Sequence, residues 1–325
     1  MTDIAGPLEG SLRYEDGVAV ALTAPGAGLT ALPSSIGDLT GLRHVDLDGN
    51  ALTALPRDIA RLPRLETLLL YKNRLTTLPP ELGDTTSLRH LSVGGNLLSS
   101  VPGTLWRLTG LRSLNLAENA LTEIPEAIGR LTALRMLDLA HNRLRRIPES
   151  IGDLAGLTDY LYLGDNGLTS VPASLGRLDR LGYLNLAGNR LTTLPDAIGR
   201  MAALHELRLQ DNRLTRLPGS IGRLVRLREL HLRDNRITEL PESIGGSVEL
   251  RLLDLRSNPL TRLPEAIVRL TRLTHLDLRA TRLRELPDGL GDLPRLEKLD
   301  LRWTKLDAIP GCVERLRSRG CVVLL

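Results

Sequence analysis

Six histidines and two cysteines are the residues from which a metal centre or a nucleophile could be built in this chain of 325 residues. The histidines are His44, His90, His141, His205, His231 and His275, and only His231 and His275 lie in the Asp/Arg-rich region of the last repeats. A zinc centre needs closely grouped Cys and His ligands, and no such group stands in the sequence. Cys312 and Cys321 have no histidine near them. They read as two buried thiols acting as small apolar groups, with a terminal disulfide as the alternative. No serine or cysteine occupies a recognisable nucleophile frame. Gly94-Gly95-Asn96 lacks the lysine and the following helix that would make it a phosphate loop. The expectation is therefore no enzyme, no cofactor and no metal.

The elements that would position any functional side chain come from one repeated phrase. Leu134 to Gly156, LRMLDLAHNRLRRIPESIGDLAG, is 23 residues long, and its frame is L-x-x-L-x-L-x-x-N-x-L-x-x-[LI]-P-x-x-I-G-x-L. A proline recurs every 23 residues from Pro33 to Pro148 and from Pro172 to Pro310, with a single step of 24 between those two runs. Asparagine stands six residues before the proline from Asn50 to Asn258, and Thr281 and Thr304 take its place at the end. Leu137 and Leu139 alternate with Met136, Asp138 and Ala140, which predicts a short strand with one buried face. Leu144, Ile147, Ile151 and Leu154 are spaced too widely for a strand. Pro148 suits the first position of a helical turn, with Glu149 at its positive end. One such unit cannot bury its apolar face alone, whereas stacked units can. Stacking also lines up the asparagines, whose amides both donate and accept and so can satisfy turn backbone. Threonine satisfies fewer groups, so the column should be looser at Thr281 and Thr304.

This frame resembles that of leucine-rich repeat proteins, in particular the 23-residue LP-x-x-IG-x-L class of Ras-group, Scribble-like and bacterial cytosolic members. The resemblance runs from about Ala19 to Leu325. It implies an α/β fold: a right-handed curved solenoid with a parallel β-sheet on the concave face and short helical or 3-10 turns on the convex face. It also implies a scaffold that binds a protein partner on the concave sheet, with a role in intracellular signal transduction.

The expected organisation is a single solenoid domain. Residues 1–24 form a cap with a β-hairpin, around the turn signal Glu15-Asp16-Gly17. Repeats fill 25–310, and 311–325 form a partial repeat in which Val322 and Leu324 take buried strand positions. The opening MTDIAGPLEG does not read as a signal peptide, no apolar run is long enough to span a membrane, and two cysteines suit a reducing compartment. A cytoplasmic monomer is expected. The net charge of +4 is slight for this length.

In the frame, the residues flanking the buried leucines form three columns on the concave face. The third is all Gly or Ala from Gly94 to Ala187, which leaves a trough. Beside it stand Met136, Tyr160, Tyr162 and Tyr183. Four of the five tyrosines, counting Tyr71, are on this face. The 24-residue step falls at the same place, where an extra strand residue suggests a bulge. Tyr160, Tyr162 and Tyr183 are the expected binding anchors, with Met136, Asp138, Asn185 and Tyr71 around them. Further along, Arg233, Asp254, Arg256, Asp277, Arg279, Asp300 and Arg302 form a second, charged patch. It reads as a self-neutralising lattice, or as a docking surface for an acidic partner or nucleic acid. Nucleic acid is the weaker reading, because the Asp column cancels most of the field and no aromatics interleave with the basic residues.

Overall fold

Each repeat turns on two backbone devices. The first is a tight bend just before the asparagine. Gly49, Lys72, Gly95, Glu118, His141, Asp165, Gly188, Asp211, Asp234, Ser257, Ala280 and Trp303 all have φ between 51° and 69°. The asparagine that follows ties the bend to its neighbour. Asn142 Nδ2 donates to the carbonyls of Leu116, Leu139 and Ala140, and its Oδ1 accepts from Leu121 N–H at 3.0 Å. Thr281 and Thr304 donate to Leu278 O and Leu301 O at 2.7 Å, bonds that stay within their own repeat.

The second device is the proline. It was expected to open the helical turn, but it flanks it. Pro148 is extended, with φ −72° and ψ 157°, and its carbonyl accepts from Ile151 N–H at 3.2 Å. That bond closes the 3-10 turn Glu149–Asp153, so Glu149 takes the first position. The ring's fixed φ suits both roles. The carbonyl's position as acceptor to the residue three on decides for the flank.

In this computed structural model residues 8–325 are described, and the first seven residues of the expected 1–24 cap lie outside them. They form two compact units that divide between Leu157 and Thr158. In the first, β1 (Leu12–Glu15) pairs antiparallel with β2 (Val18–Thr23) around Asp16 and Gly17, both of positive φ. Parallel to β2 follow β3 (His44–Asp46), β4 (Thr67–Leu69), β5 (His90–Ser92), β6 (Ser113–Asn115) and β7 (Met136–Asp138).

The second unit stacks β8 (Tyr160–Tyr162), β9 (Tyr183–Asn185), β10 (Glu206–Arg208), β11 (Glu229–His231), β12 (Leu252–Asp254), β13 (His275–Asp277), β14 (Lys298–Asp300) and β15 (Val322–Leu324), all parallel. From β3 to β14 the middle strand residue, such as Leu137 or Leu207, is fully buried in the leucine and isoleucine core.

Two expectations are corrected. The extra residue of the 24-residue step does not bulge the strand. It lies at Thr158–Asp159, where Thr158 O accepts from Gly182 N–H at 2.9 Å, and Tyr160 pairs with Tyr183 in the common register. A loop entering a strand absorbs an insertion without shifting the buried face. At the other end, Val322 is 56% exposed, and Val323 rather than Val322 or Leu324 aligns with the buried Leu299. The return segment there is a full α-helix, α1 (Gly311–Ser318), which buries Cys312, Val313 and Leu316. Both cysteines are buried free thiols.

Candidate protein-binding face

Strands β8 and β9 bring three tyrosines together on the concave face of the second unit. Tyr160 and Tyr162, two apart on β8, have ring centroids 4.6 Å apart and tilted by 35°. Tyr162 meets Tyr183 of β9 edge-on, at 5.1 Å and 71°. Both geometries are favoured by the ring quadrupole. The Arg208 guanidinium stands 5.7 Å from the Tyr183 ring while its Nε donates to Glu206 Oε1 at 2.6 Å. Burial pushes the Tyr183 hydroxyl well above the usual phenol range; nearby Arg208 opposes this, and Glu206 and Tyr162 add to it. All three tyrosines are half-buried, so the rings remain open to a partner. In front of them the small column continues as Gly164 and Ala187. A Cβ added at Gly164 would stand 3.2 Å from Asn185 Oδ1.

The polar residues named beside the tyrosines also serve their own backbone. Asn185 Oδ1 accepts from Ala187 N–H at 2.9 Å, and in the first unit Asp138 Oδ1 accepts from Ala140 N–H at 3.0 Å. Asp46, Asn115, Asp254, Asp277 and Asp300 make the same bond to the N–H two residues on. This local turn suits Asx side chains, and it accounts for the recurrence of Asp and Asn in that column. Met136 lies beside Asp138 on β7, half-buried. Tyr71, also in the first unit, donates its hydroxyl to Glu118 Oε1 at 2.8 Å and has Lys72 5.2 Å from its ring.

The charged patch is a lattice of ion pairs, forked at Arg279 and Arg302. Arg302 Nε and Nη2 reach Asp300 at 3.0 and 2.7 Å, Arg279 Nε reaches Asp277 at 3.0 Å and Asp300 at 3.4 Å, and Arg256 Nε lies 3.5 Å from Asp254. Arg233 pairs with Asp211 and Asp234 at 2.9 and 3.1 Å. Between the forks opens a pocket of about 300 Å³, lined in part by His231, Asp254, His275 and Lys298. Trp303, which the columns did not single out, is 71% exposed, with the Arg302 guanidinium 5.7 Å from its ring.

One cluster escaped the sequence reading. Glu206 on β10 and Glu229 and His231 on β11 hold their ligand atoms within 4.8 Å of one another. His231 Nε2 lies 3.1 Å from Glu229 Oε2 and 3.9 Å from Glu206 Oε1. Glu229 and His231 are two apart on one strand, but Glu206 lies a repeat away in sequence until stacking pairs it with Glu229.

Comparison with family models matches "Leucine rich repeat" over overlapping segments from 40–98 to 156–214, and "Leucine-rich repeat region" over 219–318. The chain belongs to the leucine-rich repeat family. Members of this family generally mediate protein–protein interaction. A leucine-rich repeat protein of Leptospira interrogans is 34% identical, with a TM-score of 0.76 over 92% of this chain and 82% of that one. The plant peptide hormone receptor RGFR1, solved in complex with RGF2, is 29% identical with a TM-score of 0.75, covering 94% of this chain and 55% of the receptor. An internalin of Listeria monocytogenes shares the fold, with a TM-score of 0.81 at 23% identity over 94% of this chain and 86% of its own. A comparison with curated proteins finds no match. As a leucine-rich repeat chain, the protein has its strands facing one side and its 3-10 turns the other. Among the described residues, no helix is long and apolar enough to cross a membrane.

Proposed function

We propose that this leucine-rich repeat chain is a non-catalytic scaffold of the 23-residue LP-x-x-IG-x-L class, and that it grips one protein partner through the strand face of its second unit. Tyr160, Tyr162 and Tyr183 are the anchors, and Asn185 lies beside them. On the first unit, Met136, Asp138 and Tyr71 are further contact residues. The setting is cytoplasmic, the chain acts as a monomer, and the role is in signal transduction. The observation that carries this reading is the aromatic cluster: three scarce residues on adjacent strands, with rings 4.6 and 5.1 Å apart, fronting a Gly/Ala column. A preformed face of this kind loses little ordering entropy on binding. Central aromatic anchors contribute about 2 kcal/mol or more each.

The test is capture from native cytosol by the intact chain, alongside a variant with Tyr160, Tyr162 and Tyr183 all changed to Ala. The variant should melt close to the parent and lose the partner. Early unfolding would make the tyrosines structural. A folded variant that keeps its partner moves the site to the lattice from Arg233 to Arg302. If that capture weakens steeply with salt, it favours a polyanionic ligand there.

A further inference from the structure

Glu206 and Glu229 are register partners on β10 and β11, so two carboxylates project side by side from neighbouring strands about 4.8 Å apart. Like charges directly opposite one another destabilise a sheet unless a cation lies between them. Arg208 partly answers Glu206, but it is also drawn to the Tyr183 ring. His231, opposite Arg208 and two residues on from Glu229, turns Nε2 toward both carboxylates at 3.1 and 3.9 Å. Across a tetrahedral zinc ion with bonds of about 2.0–2.1 Å, ligand atoms lie roughly 3.3 Å apart. His231 Nε2 and Glu229 Oε2 are already near that spacing, whereas Glu206 Oε1 must close on Nε2 by about 0.6 Å and on Glu229 from within 4.8 Å, which rotation of the carboxylate side chains allows. One imidazole with two carboxylates suits a first-row transition ion such as zinc, whereas calcium and magnesium ask for six or more oxygens or for water-rich octahedra.

We infer that Glu206 Oε1, Glu229 Oε2 and His231 Nε2 form a surface site for one Zn²⁺ ion, with its remaining position open on the strand face. Binding moves the Arg208 guanidinium off Glu206, and the Tyr183 ring is there to keep it. Asp254, the register partner of His231 on β12, lies close enough to act electrostatically on the imidazole. The ligands themselves are not the tyrosine anchors, so Zn²⁺ binding is tested without the partner, although Arg208 links the site to the Tyr183 ring.

Titration calorimetry of the untagged intact chain with Zn²⁺, and separately with Mg²⁺, tests this. One equivalent of Zn²⁺ should bind saturably and Mg²⁺ should not. Glu206→Gln, which is isosteric, and His231→Gln should each weaken Zn²⁺ binding beyond the ~10–100-fold typical of losing an outer-shell partner. Arg208→Ala should tighten it several-fold, a gain that no merely structural role explains. Far-UV circular dichroism identifies any variant that fails to fold, and the other two variants then carry the test. The Co²⁺ derivative should show no thiolate charge-transfer band, which separates this site from Cys312 and Cys321. Absence of saturable Zn²⁺ binding overturns the inference. So does binding that the folded Glu206→Gln and His231→Gln variants retain.

Discussion

Asp138 on β7 and Asp300 on β14 occupy the same place in the frame and each accepts the backbone N–H two residues on, yet their carboxyl pKa values shift in opposite directions. Burial pushes the Asp138 carboxyl up; the Ala140 N–H and His141 only partly offset it, and Glu118 adds to it. Burial acts on Asp300 as well, but the Arg302 fork, the Arg302 N–H and Arg279 outweigh it and hold that carboxyl down. Two residues on from Asp138 stands Ala140; two residues on from Asp300 stands Arg302. Asp254 shows that a nearby arginine is not enough. Arg256 lies at 3.5 Å without forking it, and burial keeps Asp254 up, with Asp277 adding to the effect. An alanine two residues on thus leaves Asp138 without an arginine fork, with only the Ala140 N–H and His141 to offset burial. The arginine column closes the far end into neutral pairs, which weakens the case for a polyanion there.

The asparagine column sharpens the contrast most. Asn142→Ala should cost about 1–3 kcal/mol, because backbone groups of two repeats lose their partner. Thr281→Ala, which removes one bond within a repeat, should cost about 1 kcal/mol. Denaturant melts of the two variants check this, and equal costs would remove the distinction.

Asp300→Asn is next, at about 1–2 kcal/mol at pH 7 once the partial exposure of Arg302 is allowed for. A depressed carboxyl adds stability above its unfolded value of about 3.9 and loses it as pH falls through the folded value. The gap to the parent should therefore close on acidification below about pH 4. Asp138→Asn should behave oppositely. It keeps the bond to Ala140 N–H, as Asn115 and Asn185 do in their own repeats. A raised carboxyl favours folding below the unfolded pKa and loses that contribution as pH rises through the folded value. The variant should then exceed the parent at pH 7 by less than about 1 kcal/mol and match it near pH 3. Melts across pH that show the same sign for both variants would refute the comparison.

The smallest effect is expected at Ala280, which sits at φ 53° in the left-handed bend. Ala280→Gly relieves about 1 kcal/mol of strain and returns part of it as unfolded-chain entropy. The net gain should be about 0.5 kcal/mol in a thermal melt.

The sequence by itself determined the repeat, the buried leucine pair and the asparagine column, because each is a local pattern copied at constant spacing. The alternation at Leu137 and Leu139 is enough to predict the strand, and the proline spacing is enough to predict the stack. The end of the chain was misread by one residue. The register of Val323 comes from pairing with Leu299 across the strands. The frame places Asp138 on the exposed face, but it does not reveal that its oxygen closes a turn on Ala140. Only the tertiary structure decided which side chains meet across strands. Glu206 and His231, separated in sequence, face each other because stacking turns a spacing of one repeat into neighbouring strands about 4.8 Å apart. The tyrosines became a cluster, and Asp300 a held-down acid, for the same reason. Contacts between repeats depend on register and rotamer, which no single repeat encodes.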